Sequence, residues 1–207
     1  MSDKIYQPNT AWSFYRDSIC GWAAWDNAFS KEECQWIIDY SKVFQSHTAE
    51  VGIAKDEVAT INDTVNTDIR NSKITWLHPT KEFSWVYDRL TAVVIKLNQD
   101  NYMFDLFGFQ EGLQFTEYTA PSGHYGKHVD IIFGGPVRKL SLTLQLTDPN
   151  EYEGGDLEMH LGSKPAIMEK KQGSIIVFPS GVLHEVTPVT KGTRHSLVGW
   201  ITGKPFK

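Results

Sequence analysis

With 207 residues, 41% of them hydrophobic and 22% charged, the chain is long enough for one domain with a real core and too apolar for wholesale disorder. A formal net charge of −5 argues against a surface built to neutralise many phosphates, so nucleic acid is an unfavoured partner. Two cysteines, Cys20 and Cys34, cannot make a disulfide framework, no apolar run follows Met1-Ser2-Asp3-Lys4, and no stretch is apolar enough to span a bilayer; a soluble cytoplasmic protein with reduced thiols and no membrane partner is expected.

In chain order, Ser30 and Glu33 fit a capping box, and Cys34, Ile37, Ile38 and Val43 recur at helical spacing, which predicts a helix over residues 31–44. A polar stretch, Gln45–Ser72, reads as loop with short strand. Thr80 can cap a second helix, whose apolar face is Phe83, Val86, Leu90, Val93, Val94 and Leu97. After Asn101 the period changes to two. Leu113, Phe115 and Glu117 alternate with Gln114, Thr116 and Tyr118, and Leu140, Leu142, Leu144 and Leu146 alternate with Ser141, Thr143, Gln145 and Thr147. Further strands are expected over 156–161, 174–178, 183–188 and 194–201, separated by Gly134-Gly135-Pro136, Gly154-Gly155, Pro179-Ser180-Gly181 and Gly192. The expected class is α+β and mainly β: one domain over 1–207, helical over about 22–101, then a sandwich-like β-core over about 105–203.

The chemistry is carried by three separated pieces. His128-Val129-Asp130 sets an imidazole and a carboxylate on one side of an extended chain, within reach of one metal ion. His184, delivered by the run Gly173–Phe178 and a turn, adds a second imidazole. Two histidines and one carboxylate form the facial set that suits Fe(II) and leaves three positions open. Those positions accept the keto oxygen and adjacent carboxylate of 2-oxoglutarate and leave one for dioxygen. The far carboxylate then needs a partner, and the guanidinium fork of Arg194 matches it with two hydrogen bonds. A strand down, a turn at Lys191-Gly192 and a strand back set Arg194 beside the metal strand, with Ser196 on the same face as a further donor. Each piece also has an ordinary reading: a surface histidine beside an acid, a half-buried strand-end histidine, an exposed strand arginine.

Taken together, order and spacing carry a family resemblance. The segments are Tyr118 to Asp130 (YTAPSGHYGKHVD), Leu140 to Thr143 (LSLT) with Asp148-Pro149, and Tyr152 to Leu157 (YEGGDL). Gly173 to Pro179 (GSIIVFP), His184 to Val189 (HEVTPV) and Gly192 to Arg194 (GTR) complete them. From about Trp22 to Gly203 the chain resembles the prolyl/lysyl hydroxylase branch (PKHD-type, prolyl 4-hydroxylase-like) of the iron(II)/2-oxoglutarate dioxygenases, in its short bacterial and phage-type form. The resemblance implies a double-stranded β-helix, a jelly-roll relative, with the N-terminal helices packed on one sheet.

By position it implies His128, Asp130 and His184 as catalytic iron ligands and Arg194 as the co-substrate arginine. Tyr118 is implied in the co-substrate pocket and Tyr125 as an aromatic at its mouth. Arg70 and Trp76 are implied at the substrate mouth. Gln145, facing as Thr143 does, is a candidate contact to co-substrate or substrate. The implied reaction is hydroxylation of an unactivated C–H bond, with a prolyl residue of a protein or peptide as leading substrate and release of succinate and CO2. Its cofactors are Fe(II), 2-oxoglutarate and O2, with ascorbate as reductant. The retained Asp130 speaks for hydroxylation, because related halogenases replace that carboxylate. Rival readings are a dioxygenase acting on a small metabolite or on nucleic acid, and a non-catalytic β-sandwich binding protein. His124 reads as a pocket or loop residue, and His47, His78, His160 and His195 as structural or solvated.

Overall fold

In the computed structural model, residues 19–49 and 66–205 are described; Met1-Ser2-Asp3-Lys4 and the middle of the polar stretch before Ser72 lie outside them. Ser30 accepts from the Glu33 amide and Glu33 returns a bond to the Ser30 amide, so the predicted capping box starts α1 (Lys31–Ser41). The second helix, α2 (Ser84–Asn101), starts after a turn in which the Thr80 hydroxyl accepts from the Phe83 amide; all six residues of its predicted apolar face are buried. Around the helices lie β1 (Ala23–Trp25), β2 (His47–Thr48), β3 (Arg70–Asn71) and β4 (Lys73–Leu77). The polar stretch carries the short strands β2 and β3, as expected, and the region read as helical adds β1 and β4, whose pairing is set by neighbouring strands.

The β-core contains β5 (Leu106–Phe109), β6 (Leu113–Thr119), β7 (His124–His128), β8 (Arg138–Gln145), β9 (Glu153–Gly154) and β10 (Leu157–Met159). It continues with β11 (Ala166–Ile167), β12 (Ile175–Pro179), β13 (His184–Val186), β14 (Val189–Lys191) and β15 (Thr193–Gly203). The major sheet runs β1-β12-β8-β15-β6-β4-β2, with β5 also on β15; the minor sheet runs β11-β10-β13-β7-β3; β14 and β9 form a separate pair. All pairings are antiparallel. The fold is a double-stranded β-helix whose two sheets face each other, with the helices forming a third layer on the major sheet.

Strand β8 explains the layering. Leu140, Leu142, Leu144 and Leu146 are fully buried against the helix layer, each burial being worth about 1.5–3 kcal/mol. The alternate residues Ser141, Thr143 and Gln145 are also buried, because they face the minor sheet rather than water. A polar, buried strand face between two sheets marks an interior that is not simply core. Apolar residues such as Leu157, Met159, Phe178 and Val186 close the rest of that interior. Among the described residues no helix is long and apolar enough to cross a membrane.

Candidate active site

Between the sheets lies a cavity of about 860 Å³. His128 ends β7 and His184 begins β13; these strands are neighbours, and the two histidines are register partners. Asp130 follows β7 by two residues, its amide bonded to the Ser180 carbonyl (2.9 Å). His128 Nε2 lies 3.8 Å from one Asp130 oxygen and His184 Nε2 3.6 Å from the other. Two donors of one ion bound at about 2.1 Å can be at most about 4.2 Å apart, so these separations suit a single metal.

The backbone prepares both imidazoles. His128 Nδ1 donates to the Gly126 carbonyl (2.8 Å) and His184 Nδ1 to the Val182 carbonyl (2.9 Å), each two residues back. With the proton fixed on Nδ1, each Nε2 lone pair faces the cluster. Burial, reinforced by the neighbouring His184, pushes the His128 imidazole down to about 4, so it is a neutral ligand at ordinary pH. Burial pushes the Asp130 carboxyl up, but the two imidazoles and the Ser141 hydroxyl (2.6 Å) outweigh it and hold the group below the usual carboxylate range. The Trp200 indole N–H lies near enough to favour the same charged form, without a hydrogen bond of good geometry.

Arg194 lines the same cavity. It sits on β15 of the major sheet, between β6 and β8, and so faces the metal-ligand strands across the interior instead of lying beside them as expected. It is only 1% exposed. Its Nη2 donates to Gln145 Oε1 (3.0 Å), while Nε and Nη1 are buried with no hydrogen-bond partner among the described residues. The ring of Tyr118, cross-strand from Arg194, lies 5.4 Å from the guanidinium carbon. Ser196, buried, lines the cavity on the same strand face. Gln145, a candidate contact to co-substrate or substrate, holds Arg194 through its hydrogen bond to Nη2. Tyr125 is half-buried and packs face to face on His128 at 3.5 Å between ring centres, and Arg70 lies over its other face at 4.4 Å. Trp76 lines the cavity near Trp200.

Several site residues escaped the sequence reading. Arg138 donates through Nε and Nη2 to Glu111 (2.7 and 2.5 Å) and stacks over Trp200 at 3.9 Å, forming one wall of the opening. Ser141 orients Asp130. Only the alternation in β8 and β15 could have found Ser141 and Trp200, as polar or aromatic residues on the face opposite the leucines. Of the other histidines, His195 stacks outside the cavity on Phe115, and His160 pairs with Glu185.

Comparison with known proteins places these residues beside a known family. Residues 113–202 match the 2OG-Fe(II) oxygenase superfamily. Over that span the β-core is similar to 2OG-Fe(II) oxygenases. The matched span contains both histidines, Asp130 and Arg194. A PKHD-type hydroxylase of Prochlorococcus marinus is 42% identical over 91 residues, covering 44% of this chain and 41% of that protein. One of Sphingopyxis alaskensis is 36% identical over 116 residues, covering 52% and 53%. The alignments thus span about half or less of these relatives. A prolyl-4-hydroxylase structure from Pseudomonas putida matches with TM-score 0.67 at 22% identity, over 89% of this chain and 94% of that one. A viral collagen prolyl hydroxylase from Paramecium bursaria chlorella virus-1, solved as a 2OG complex, matches with TM-score 0.65 at 20% identity, over 90% and 97%. At that identity the likeness concerns the double-stranded β-helix alone.

The oxygenase family implies Fe(II), 2-oxoglutarate and O2, and the residues present fit them. Two imidazoles and one carboxylate are the donor set that would suit Fe(II), and the orphaned guanidinium nitrogens of Arg194 are the kind of site a carboxylate completes.

Proposed function

We propose that the chain is an Fe(II)- and 2-oxoglutarate-dependent dioxygenase that hydroxylates a C–H bond of a protein or peptide, with a prolyl residue as the leading substrate. The single observation that carries the reading is Arg194: a buried guanidinium with two unanswered nitrogens, in the same cavity as a His/Asp/His cluster. A buried cation without a counter-charge is costly, and its retention makes sense where a carboxylate completes it.

In this reading His128, Asp130 and His184 hold the iron, and Arg194 takes the distal carboxylate of 2-oxoglutarate, with Tyr118 and Ser196 beside it. Bound iron supplies the oxidising chemistry, consuming dioxygen and 2-oxoglutarate and yielding succinate and CO2. The protein's part is positional. The two Nδ1–carbonyl bonds keep both imidazoles in the ligating tautomer, Ser141 keeps the Asp130 carboxylate turned inward, and Gln145 holds Arg194 from behind. Leu157, Phe178 and Val186 keep the closed end apolar, which strengthens charge pairing there. The substrate enters past Trp76, Trp200 and the Arg138–Glu111 pair. A prolyl residue of a peptide is suggested by the similar prolyl hydroxylases, one of which, from Trichoplax adhaerens, was solved in complex with a peptide fragment. We also read residues 1–207 as one domain, since the strands before residue 101 complete both sheets.

The test is succinate formation from 2-oxoglutarate under air with added Fe(II), comparing proline-containing peptides, free amino acids and oligonucleotides. Iron-dependent succinate that disappears in His184→Ala is expected. Succinate production undiminished in that variant contradicts the assignment.

A further inference from the structure

Among the described residues, the charged groups of the cavity wall fall into those with an assigned partner and one without. Arg138 is closed on Glu111. Asp130 faces two imidazoles and Ser141. Arg194, on the reading above, belongs to the co-substrate. Arg70 is left over. It is only 6% exposed, yet no carboxylate of the described residues pairs with it. Its Nε donates to Ser72 Oγ (3.0 Å) and its Nη2 to Gln114 Oε1 (2.7 Å), both neutral. Gln114 is committed twice, since Thr116 Oγ1 also donates to the same oxygen (3.3 Å). Nη1 makes no hydrogen bond to a described residue, and unlike the sealed nitrogens of Arg194 it keeps access to the cavity that Arg70 lines.

Its position is as informative as its charge. The Tyr125 ring lies between the Arg70 guanidinium (4.4 Å) and the His128 ring (3.5 Å). An anion on Arg70 therefore sits one aromatic ring away from a metal-ligand histidine. That is within a residue's reach of the C–H bond to be oxidised.

We propose that Arg70 is a specificity residue that binds a carboxylate of the substrate, so that the enzyme acts on acidic substrates. The proposal rests on the oxygenase reading. A neutral peptide carbonyl would leave the guanidinium half-satisfied in a desolvated wall. A carboxylate supplies both a counter-charge and a charge-assisted hydrogen bond. The carboxylate comes either from an acidic side chain next to the oxidised residue or from the α-carboxylate of a free amino acid.

The experiment is anaerobic titration calorimetry on the full chain loaded with Fe(II) and 2-oxoglutarate, using paired probes: N-acetyl-Glu-Pro-amide against N-acetyl-Gln-Pro-amide, and L-proline against L-prolinamide. One pair tests an acidic peptide and the other a free amino acid. At least one carboxylate probe is expected to bind about ten- to hundredfold more tightly than its amide. In Arg70→Gln that ratio is expected to collapse to near one, and Arg70→Lys to keep part of it. Equal binding within both pairs, including no binding by any probe, overturns the proposal. So does a ratio that survives Arg70→Gln, or a loss in Arg70→Gln shared equally by carboxylate and amide, which is the mark of a merely structural arginine. The visible iron–2-oxoglutarate absorption, recorded in the same cell, separates the two failures: with the band present and no carboxylate preference, only the role of Arg70 falls.

Discussion

Strand β13 contributes to two clusters of candidate metal-ligating side chains, one with β7 and one with β10. Inside are His128, Asp130 and His184; outside are Glu158, His160 and Glu185. By donor spacing the two are equivalent, since in each the candidate atoms lie within 4.8 Å of one another. They differ in which atoms are already spent. Inside, each histidine gives Nδ1 to a backbone carbonyl and keeps Nε2 for the cluster. Outside, His160 gives Nε2 to Glu185 (2.8 Å), while Glu158 and Glu185 stand directly opposite on paired strands. The outer group is an ion-pair arrangement partly open to water, and such pairs contribute little. Ligand proximity is common to both; committed tautomers and burial mark the inner cluster alone as the candidate metal centre.

The largest expected effect separates the clusters directly. His184→Ala should weaken Fe(II) binding by more than the 10–100-fold typical of losing a supporting partner. His160→Gln should leave one iron per chain. Metal analysis after equilibrium dialysis reads both, and a metal equivalent lost in His160→Gln would break the contrast.

Next comes the far end of the cavity. Truncating one member of a buried charge pair costs about 2–5 kcal/mol, so Arg194→Ala should raise the half-saturating 2-oxoglutarate concentration by about 30- to 4000-fold. An unchanged value would remove Arg194 from the co-substrate site. A smaller effect tests the inner support: Ser141→Ala should cost about 10–100-fold in iron affinity with the fold retained, measured by metal titration and thermal unfolding. An effect no larger than that of Ser122→Ala on the surface would show that Asp130 needs no such partner.

The smallest effect concerns His195, directly after Arg194 and outside the cavity. Burial holds its imidazole below the ordinary value of 6.5, against the pull of Glu117. The unfolded chain therefore binds that proton more readily than the folded one. Stability is full above pH 6.5 and falls as pH drops below it. Urea midpoints from pH 7.5 to 5 should fall less steeply in His195→Gln than in the parent; equal slopes would assign the acid sensitivity elsewhere.

How much of this was legible in the sequence depended on how local the signal was. The α1 capping box and the leucine period of β8 are local, and both appear as read. The inner ligands were legible because His-x-Asp on an extended strand is a two-residue statement. The side on which Arg194 enters was not, because adjacency in sequence does not say which sheet a strand joins. Arg138 was illegible for the same reason, and the alternation of β8 and β15 showed the face of Ser141 and Trp200 but not their contacts. Gln145 showed its face but not its partner: only the pairing of β8 with β15 brings it to Arg194.

The central claim is that the inner cluster and Arg194 hold one ferrous ion and one 2-oxoglutarate together. Anaerobic addition of Fe(II) and then 2-oxoglutarate, followed at the weak visible charge-transfer band, tests it most directly. The account predicts a band that saturates at one equivalent of iron, needs far more 2-oxoglutarate in Arg194→Ala and vanishes in His184→Ala. A protein that never develops the band, or one whose band is indifferent to both substitutions, would contradict it.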